Sequence, residues 1–217
     1  MTLSSLTAGE QRLGVRERRA RQKSLLRQEI IDAARDILLK EGYDHLSMRR
    51  VAEKIDYSAT AIYLHFKDRD DLVFSVCEEF MAGLVRALQD VVQREADPVT
   101  ALKKGLRRYI DLGLENPKQY QATFIVPHRP DPSNEGRFKA PDTQGMTAFA
   151  FLPRLIAESI RLKKMSSKID VEAASRALWA GVHGIVALLI VMPTFDWGNK
   201  DKVIDQLVNT LVDGLKK

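Results

Sequence analysis

A single cysteine, Cys77, leaves this 217-residue chain unable to form an internal disulfide, which fits a reducing compartment. The four histidines (His45, His65, His128 and His183) are scattered, and no pair has metal-ligand spacing. No Gly-rich phosphate loop and no G-x-S-x-G motif is present, and Cys77 lacks a local activating pattern. No catalytic residue, metal or cofactor is therefore expected. The opening MTLSSLTAGEQRLG has no apolar core for a signal peptide, so a cytoplasmic location is expected. The longest apolar run, Ala177 to Met192 (ALWAGVHGIVALLIVM), falls short of the roughly 20 residues that span a bilayer. It contains His183 and follows Arg176, and it reads as a helix buried between protein layers, with no membrane implied.

What remains is an ordinary soluble composition, 45% hydrophobic and 29% charged, long enough for one large or two small domains. The net charge of +5 is concentrated at one end. Between Met1 and Gln28, seven basic residues (Arg12, Arg16, Arg18, Arg19, Arg21, Lys23, Arg27) face only Glu10 and Glu17. Residues 1 to 22 are polar and aperiodic, and a flexible basic arm is expected there. It is either a solvated tail or a strap for phosphates or a minor groove.

Helical periodicity dominates the rest. From Ser24 to Glu41, Leu26, Ile30, Ala33, Ala34, Ile37 and Leu38 recur at steps of three and four, and Gly42 marks the stop. Residues 46 to 72, LSMRRVAEKIDYSATAIYLHFKDRDDL, then read as a short helix, a tight turn and a second short helix running into a third. Leu46, Val51, Ala52 and Ile55 are the apolar positions of the first. Ser47 and Ser58 can cap the two short helices, and Asp56-Tyr57-Ser58 forms the turn. Such a pair is either an ordinary helical hairpin or a helix-turn-helix whose second helix enters a DNA major groove.

From Asp68 a long helix carries Leu72, Val76, Phe80, Leu84, Leu88 and Val91 toward Glu95, with Asp68, Asp70 and Asp71 in its first turn. Asp97-Pro98 and Asn116-Pro117 each read as a cap followed by proline at the first helical position. Pro127 to Gly145 reads as a long loop, either functional or disordered. A helix is expected around Met146 to Met165, kinked at or starting from Pro153. Asp170 caps the apolar helix that Pro193 ends, and Lys200 to Leu215 closes the chain with a broad apolar stripe. The chain is expected to be all-α, with about nine helices.

Residues 30 to 76 resemble the DNA-binding domain of the TetR family of transcriptional regulators. Ala33-Ala34, Gly42-Tyr43, Leu46-Ser47-Met48-Arg49, Val51-Ala52, Ile62-Tyr63-Leu64-His65-Phe66-Lys67 and Leu72 carry the likeness, without a gap, over about a quarter of the chain. Trp179-Ala180-Gly181-Val182-His183-Gly184 resembles the W-x-G-x-H-G signature of one subgroup of the family's ligand-binding domains, as does Tyr109 to Phe124. The resemblance implies a helix-turn-helix domain at 23–68 and an effector-binding, dimerising domain at 69–217. It also implies a fourth helix whose tilt sets the spacing of two reading heads, and a homodimer through the last two helices.

By position in the family motif, Ser47, Arg49, Ser58, Ala59, Thr60, Tyr63, His65, Lys67 and Arg69 are the expected contacts to double-stranded operator DNA. Thr60 offers a methyl for thymine and a hydroxyl for a base edge, whereas Tyr63, His65, Lys67 and Arg69 fall where phosphates are held. Tyr109, Tyr120, Phe124, Phe149, Trp179 and His183 are the candidates for a pocket holding a small hydrophobic or aromatic effector. The function so implied is a repressor released from a palindromic operator by that effector. The alternative is a helical protein-interaction module without specific DNA binding.

Overall fold

The computed structural model describes residues 14–125, 140 and 142–216, all of them helical or connecting. They divide into two compact units, one running to Leu72 and the other from Val73.

The first unit is built on α1 (Val15–Glu41), α2 (Met48–Lys54), α3 (Ala59–Tyr63) and the start of α4 (Arg69–Arg94). Helix α1 begins nine residues before Ser24. Of the expected arm, residues 1–13 lie outside the described residues, and 15–22 are helical rather than extended. The sequence hides this start because the stretch has no apolar stripe; its Arg, Gln, Lys and Ala residues are nonetheless good helix formers. Further along, Ile30, Ile31, Ala34 and Ile37 are almost wholly buried and brace the two short helices, joined in the core by Leu46, Val51, Ile62, Phe66 and Leu72. Helices of seven and five residues could not hold themselves without such a brace. Gly42 ends α1 at φ 93°, a backbone conformation in the left-handed half of the map that glycine adopts without strain.

The second unit contains the remainder of α4, then α5 (Pro98–Glu115), α6 (Pro117–Tyr120) with a π-helical turn at Gln121–Ile125, α7 (Gln144–Phe149), α8 (Phe151–Arg161), α9 (Val171–Val191) and α10 (Lys200–Asp213). Helix α5 is its hub, packing against α8, α9 and α10. Leu102, Leu106, Ile110, Ile156, Leu178, Val182, Val186, Val208 and Val212 fill the space between them. Each such side chain, fully buried, contributes roughly 1.5–3 kcal/mol. Two glycines set close approaches. A Cβ on Gly113 would lie 2.7 Å from Val186 Cγ1 and 2.9 Å from the Tyr120 ring, and one on Gly181 would lie 2.7 Å from Leu211 Cδ1.

Caps follow the sequence at most helix starts. The Asp97 carboxylate accepts from the Thr100 N–H at 2.9 Å, and that of Asp170 accepts from Glu172 and Ala173 at 3.0 Å. Asn116 departs from the expected device: its side-chain amide donates backwards to the Leu112 carbonyl and caps nothing ahead. The expected helix from Met146 is divided by Ala150 into α7 and α8, and Pro153 sits harmlessly in the first turn of α8. It stops at Arg161 rather than Met165, where Lys163 turns the chain at φ 59°. Most of the Pro127–Gly145 loop lies outside the described residues, but Gln144 and Gly145 belong to α7, whose first N–H groups are capped by Thr143. Helix α9 is 21 residues long and apolar enough, by length and composition, to cross a membrane, which the shorter stretch considered in the sequence was not. Here one side of it packs on α5, α8 and α10.

Candidate functional site

Two sets of residues carry chemistry, one in each unit. In the first, Ser47 Oγ accepts from the Arg50 N–H at 3.2 Å, and Ser58 Oγ accepts from the Ala61 N–H at the same distance. Both serines are committed as N-caps, although their residues remain exposed. The turn between α2 and α3 is made by Asp56 at φ 57°, and the Tyr57 N–H donates to the Ala52 carbonyl at 3.0 Å. Ile62 faces inward at 0% exposure, which turns Thr60 and Tyr63 outward, with Ala59 partly covered; Tyr63 is 56% exposed. A large aromatic held in water by its helix register has no packing role to explain it.

Around α3 the polar groups are ordered. Arg69 lies 4.3 Å over the Tyr43 ring and donates to its hydroxyl at 3.1 Å, while that hydroxyl donates to Asp70 at 2.9 Å. Arg69 is thereby positioned rather than freely mobile. Arg49 pairs with Glu53 one turn on, an exposed bond at 2.8 Å that is weak in water and readily exchanged. Lys67 is exposed; its backbone N–H donates to Asp71. His65 is half-buried, its Nδ1 has no hydrogen-bond partner, and burial together with Lys23 and Arg27 holds its pKa below the ordinary imidazole value. Tyr57 and Leu64, 46% and 74% exposed, are large surface groups that were not among the expected DNA contacts. Their neighbours in the turn and at the end of α3 were the available signal.

In the second unit a cavity of about 660 Å³ opens among α4, α5, α7, α8 and α9. Its wall is mostly apolar: Met81, Leu84, Leu88, Leu102, Leu106, Phe124, Phe149, Leu152 and Trp179 among others. Of the expected lining residues, Tyr109, Phe124, Phe149 and Trp179 form part of the wall. Tyr120 and His183 do not; they stand behind it. Tyr120 is 1% exposed, and its hydroxyl lies 2.5 Å from His183 Nδ1.

Four polar groups there make a hydrogen-bonded chain. The Trp179 indole can only donate, and it does so to the Tyr109 hydroxyl at 3.4 Å. Tyr109 lies 3.0 Å from the Tyr120 hydroxyl, which in turn lies 2.5 Å from His183 Nδ1. Burial lowers the His183 pKa in the direction that keeps the imidazole neutral. Burial likewise raises both tyrosines, so both remain protonated donors. The cavity wall is thus coupled to the α5–α6–α9 core through Tyr109 and Trp179.

Sequence reasoning did not place Glu78, Cys77, Thr123, Thr143 and Arg176 in the lining, where they join the polar groups of Tyr109 and Trp179. Glu78 accepts from the Gln144 N–H at 2.9 Å, fixing α7 to α4. Burial pushes the Cys77 thiol up to about 11, so it is a small apolar wall group and not a nucleophile. Among the described residues no group of three or more His, Cys, Asp or Glu is arranged to hold a metal.

Among the described residues, one face of α9 is left without a neighbour. Helix α9 exposes Ala177, Ala180, Leu188 and Val191, and a Cβ on Gly184 would meet nothing within 4 Å.

The first unit thus has a helix-turn-helix architecture, and the second is a helical unit with an apolar cavity. The chain belongs to the TetR family: residues 30–76 match the model of bacterial regulatory proteins of the tetR family, and residues 102–215 match a tetracyclin repressor-like C-terminal domain. A fatty acid metabolism regulator protein of Bacillus subtilis is 24% identical over 92 residues, 42% of this chain and 47% of the relative. An HTH-type transcriptional regulator of Saccharopolyspora erythraea is 33% identical over 95 residues, 43% of this chain and 40% of the relative. The chain thus spans less than half the length of these curated relatives. The crystal structure of FadR from Bacillus subtilis, a transcriptional regulator in complex with stearoyl-CoA, shares the fold with a TM-score of 0.74 at 16% identity, over 86% of this chain and 98% of that one.

Proposed function

We propose that this protein is a DNA-binding transcriptional repressor, acting in the cytoplasm as a homodimer and released from a partly palindromic operator by a small apolar effector. The observation that supports it most is the pairing of an outward-facing Tyr63 on α3 with an apolar cavity in the second unit, α4 contributing residues to both units. In this reading residues 23–68 form the DNA-binding domain and 69–217 the effector-binding and dimerising domain. Ala59 and Thr60 face bases, whereas Tyr63, His65, Lys67 and Arg69 hold phosphates, with Arg49 reaching a base edge or phosphate from α2. Ser47 and Ser58 contribute by capping, so they orient the helices as well as border the DNA.

The effector is an apolar chain or ring system that fills the cavity beside Tyr109, Phe124, Phe149 and Trp179. The stearoyl-CoA bound by the Bacillus subtilis neighbour makes long acyl groups the first class to screen. An effector that favours the non-DNA conformation shifts the population away from the operator. The second protomer docks on α9 and α10, where Gly184 leaves room for a close crossing.

The test is binding of the purified protein to the DNA upstream of its own coding region, footprinted at several salt concentrations. A protected, roughly symmetric site whose affinity falls steeply with salt supports the reading. A dimer with no specific footprint at any genomic site would leave a protein-interaction module instead.

A further inference from the structure

The first turns of α1 carry a run of cations. Among the described residues, Arg16, Arg18, Arg19, Arg21 and Lys23 are exposed and pair with no carboxylate. Elsewhere in the same unit the rule is the opposite. Arg35 pairs with Asp32, Lys40 and Lys54 with Asp36, Arg49 with Glu53, Arg50 with Glu41 and Arg69 with Asp70. Among the described residues, Lys67, just beyond α3, likewise pairs its side chain with no carboxylate.

The charges are also sorted by face. At about 100° per residue, Arg16, Arg19, Lys23 and Arg27 fall on one line of the helix, stepping by three and four. That line continues into Ile30, Ala34 and Ile37, which are buried in the unit. The basic stripe is therefore the overhanging extension of the face that packs on the other helices. Its inner end is anchored beside α3: the Arg27 guanidinium stacks 4.8 Å from the centroid of Phe66, and Lys23 and Arg27 both lie close enough to disfavour protonation of His65. Arg18 and Arg21 point the opposite way.

We propose that the first three turns of α1 are a second phosphate-binding element, in which Arg16, Arg19 and Lys23 grip the backbone of duplex DNA beside the bases that α3 faces. The assignment rests on the DNA-binding reading above. Arg16 lies about 10 Å from Lys23 along the helix axis, at 1.5 Å per residue. Successive phosphates of one strand advance about 3.4 Å along the duplex, so the stripe matches a run of roughly three. Duplex DNA is the occupant because the inner end of the stripe lies beside His65 and Phe66 at the end of α3, and because unpaired cations complement a polyanion.

Two matched variants test it, R16Q/R19Q on the stripe and R18Q/R21Q on the opposite face, each losing two charges while keeping helix-forming side chains. Binding to the footprinted upstream fragment is titrated with salt, and circular dichroism confirms that both variants fold as the parent does. Each phosphate contact contributes about 0.9 to the slope of log K against log salt. R16Q/R19Q is expected to flatten the slope by about 1.8 per protomer, and R18Q/R21Q by less than about 0.5. Equal slopes for the two variants, whether both shifted or both unchanged, would overturn the assignment. Failure of the parent protein to bind any DNA in a salt-dependent way would instead overturn the DNA-binding reading, and this one with it.

Discussion

The Tyr120 hydroxyl lies 2.5 Å from His183 Nδ1, and this contact ends a hydrogen-bonded chain that starts at Trp179 on the cavity wall. The chain gives His183 a polar partner on the apolar stretch of α9: a buried tyrosine hydroxyl and a neutral imidazole satisfy each other there. Tyr120→Phe leaves His183 Nδ1 with only the 3.4 Å contact to the Tyr109 hydroxyl. We expect a loss of about 1–3 kcal/mol, measurable by denaturant unfolding. An unchanged midpoint would show that the chain contributes nothing to stability.

Acid should expose the same groups. Burial holds His65 and His183 below the ordinary imidazole pKa, with Lys23 and Arg27 adding to the effect at His65. As pH falls through about 6.5, the unfolded chain takes up these protons before the folded one does. Stability is therefore full above that pH and declines below it, until the lowered folded pKa values are passed. His65→Asn combined with His183→Asn should flatten the decline between about pH 6.5 and 5 relative to wild type. Thermal unfolding across that range checks it.

The glycines separate core from interface. Gly113→Ala pushes a methyl against Val186 and the Tyr120 ring, and an overpacking loss of about 1–3 kcal/mol is expected. A Cβ on Gly184 meets no described residue within 4 Å, so the fold should persist in Gly184→Leu. If α9 is the dimer surface, the same change should weaken dimerisation by about tenfold or more, since 1.4 kcal/mol is tenfold. Sedimentation over a concentration series distinguishes the two variants.

Filling the cavity should uncouple effector from DNA. Leu152 is a partly buried member of the wall, and Leu152→Trp adds bulk where an effector would sit. Operator affinity should stay within about twofold of wild type, a free-energy change of about 0.4 kcal/mol. Effector-induced release, read by fluorescence anisotropy of labelled operator with a screened acyl compound, should be lost.

How much of this was legible depends on what kind of signal each feature leaves. The helix-turn-helix was readable because caps and turn residues are local: Ser47, Ser58 and Asp56 act within three or four residues of themselves. The start of α1 was not, because Arg16 to Lys23 has no apolar stripe to mark a helix that other residues stabilise. The cavity left a misleading trace. Met81, Leu84 and Leu88 recur at core spacing, and periodicity cannot distinguish a side chain that packs from one that borders empty space. Tyr120 and His183 were expected at the wall because the family resemblance places a pocket there and pockets carry a few polar groups. Only their mutual contact shows that they satisfy each other behind it.

Genome-wide capture of DNA by the wild-type protein, run beside Tyr63→Ala, tests the central claim most directly. Tyr63 is exposed, so its loss should leave thermal stability unchanged and any effect can be ascribed to binding. The account predicts one or a few sharply enriched, partly palindromic sites with wild type, and none with Tyr63→Ala. No enrichment with wild type, or the same sites captured by both proteins, would contradict it.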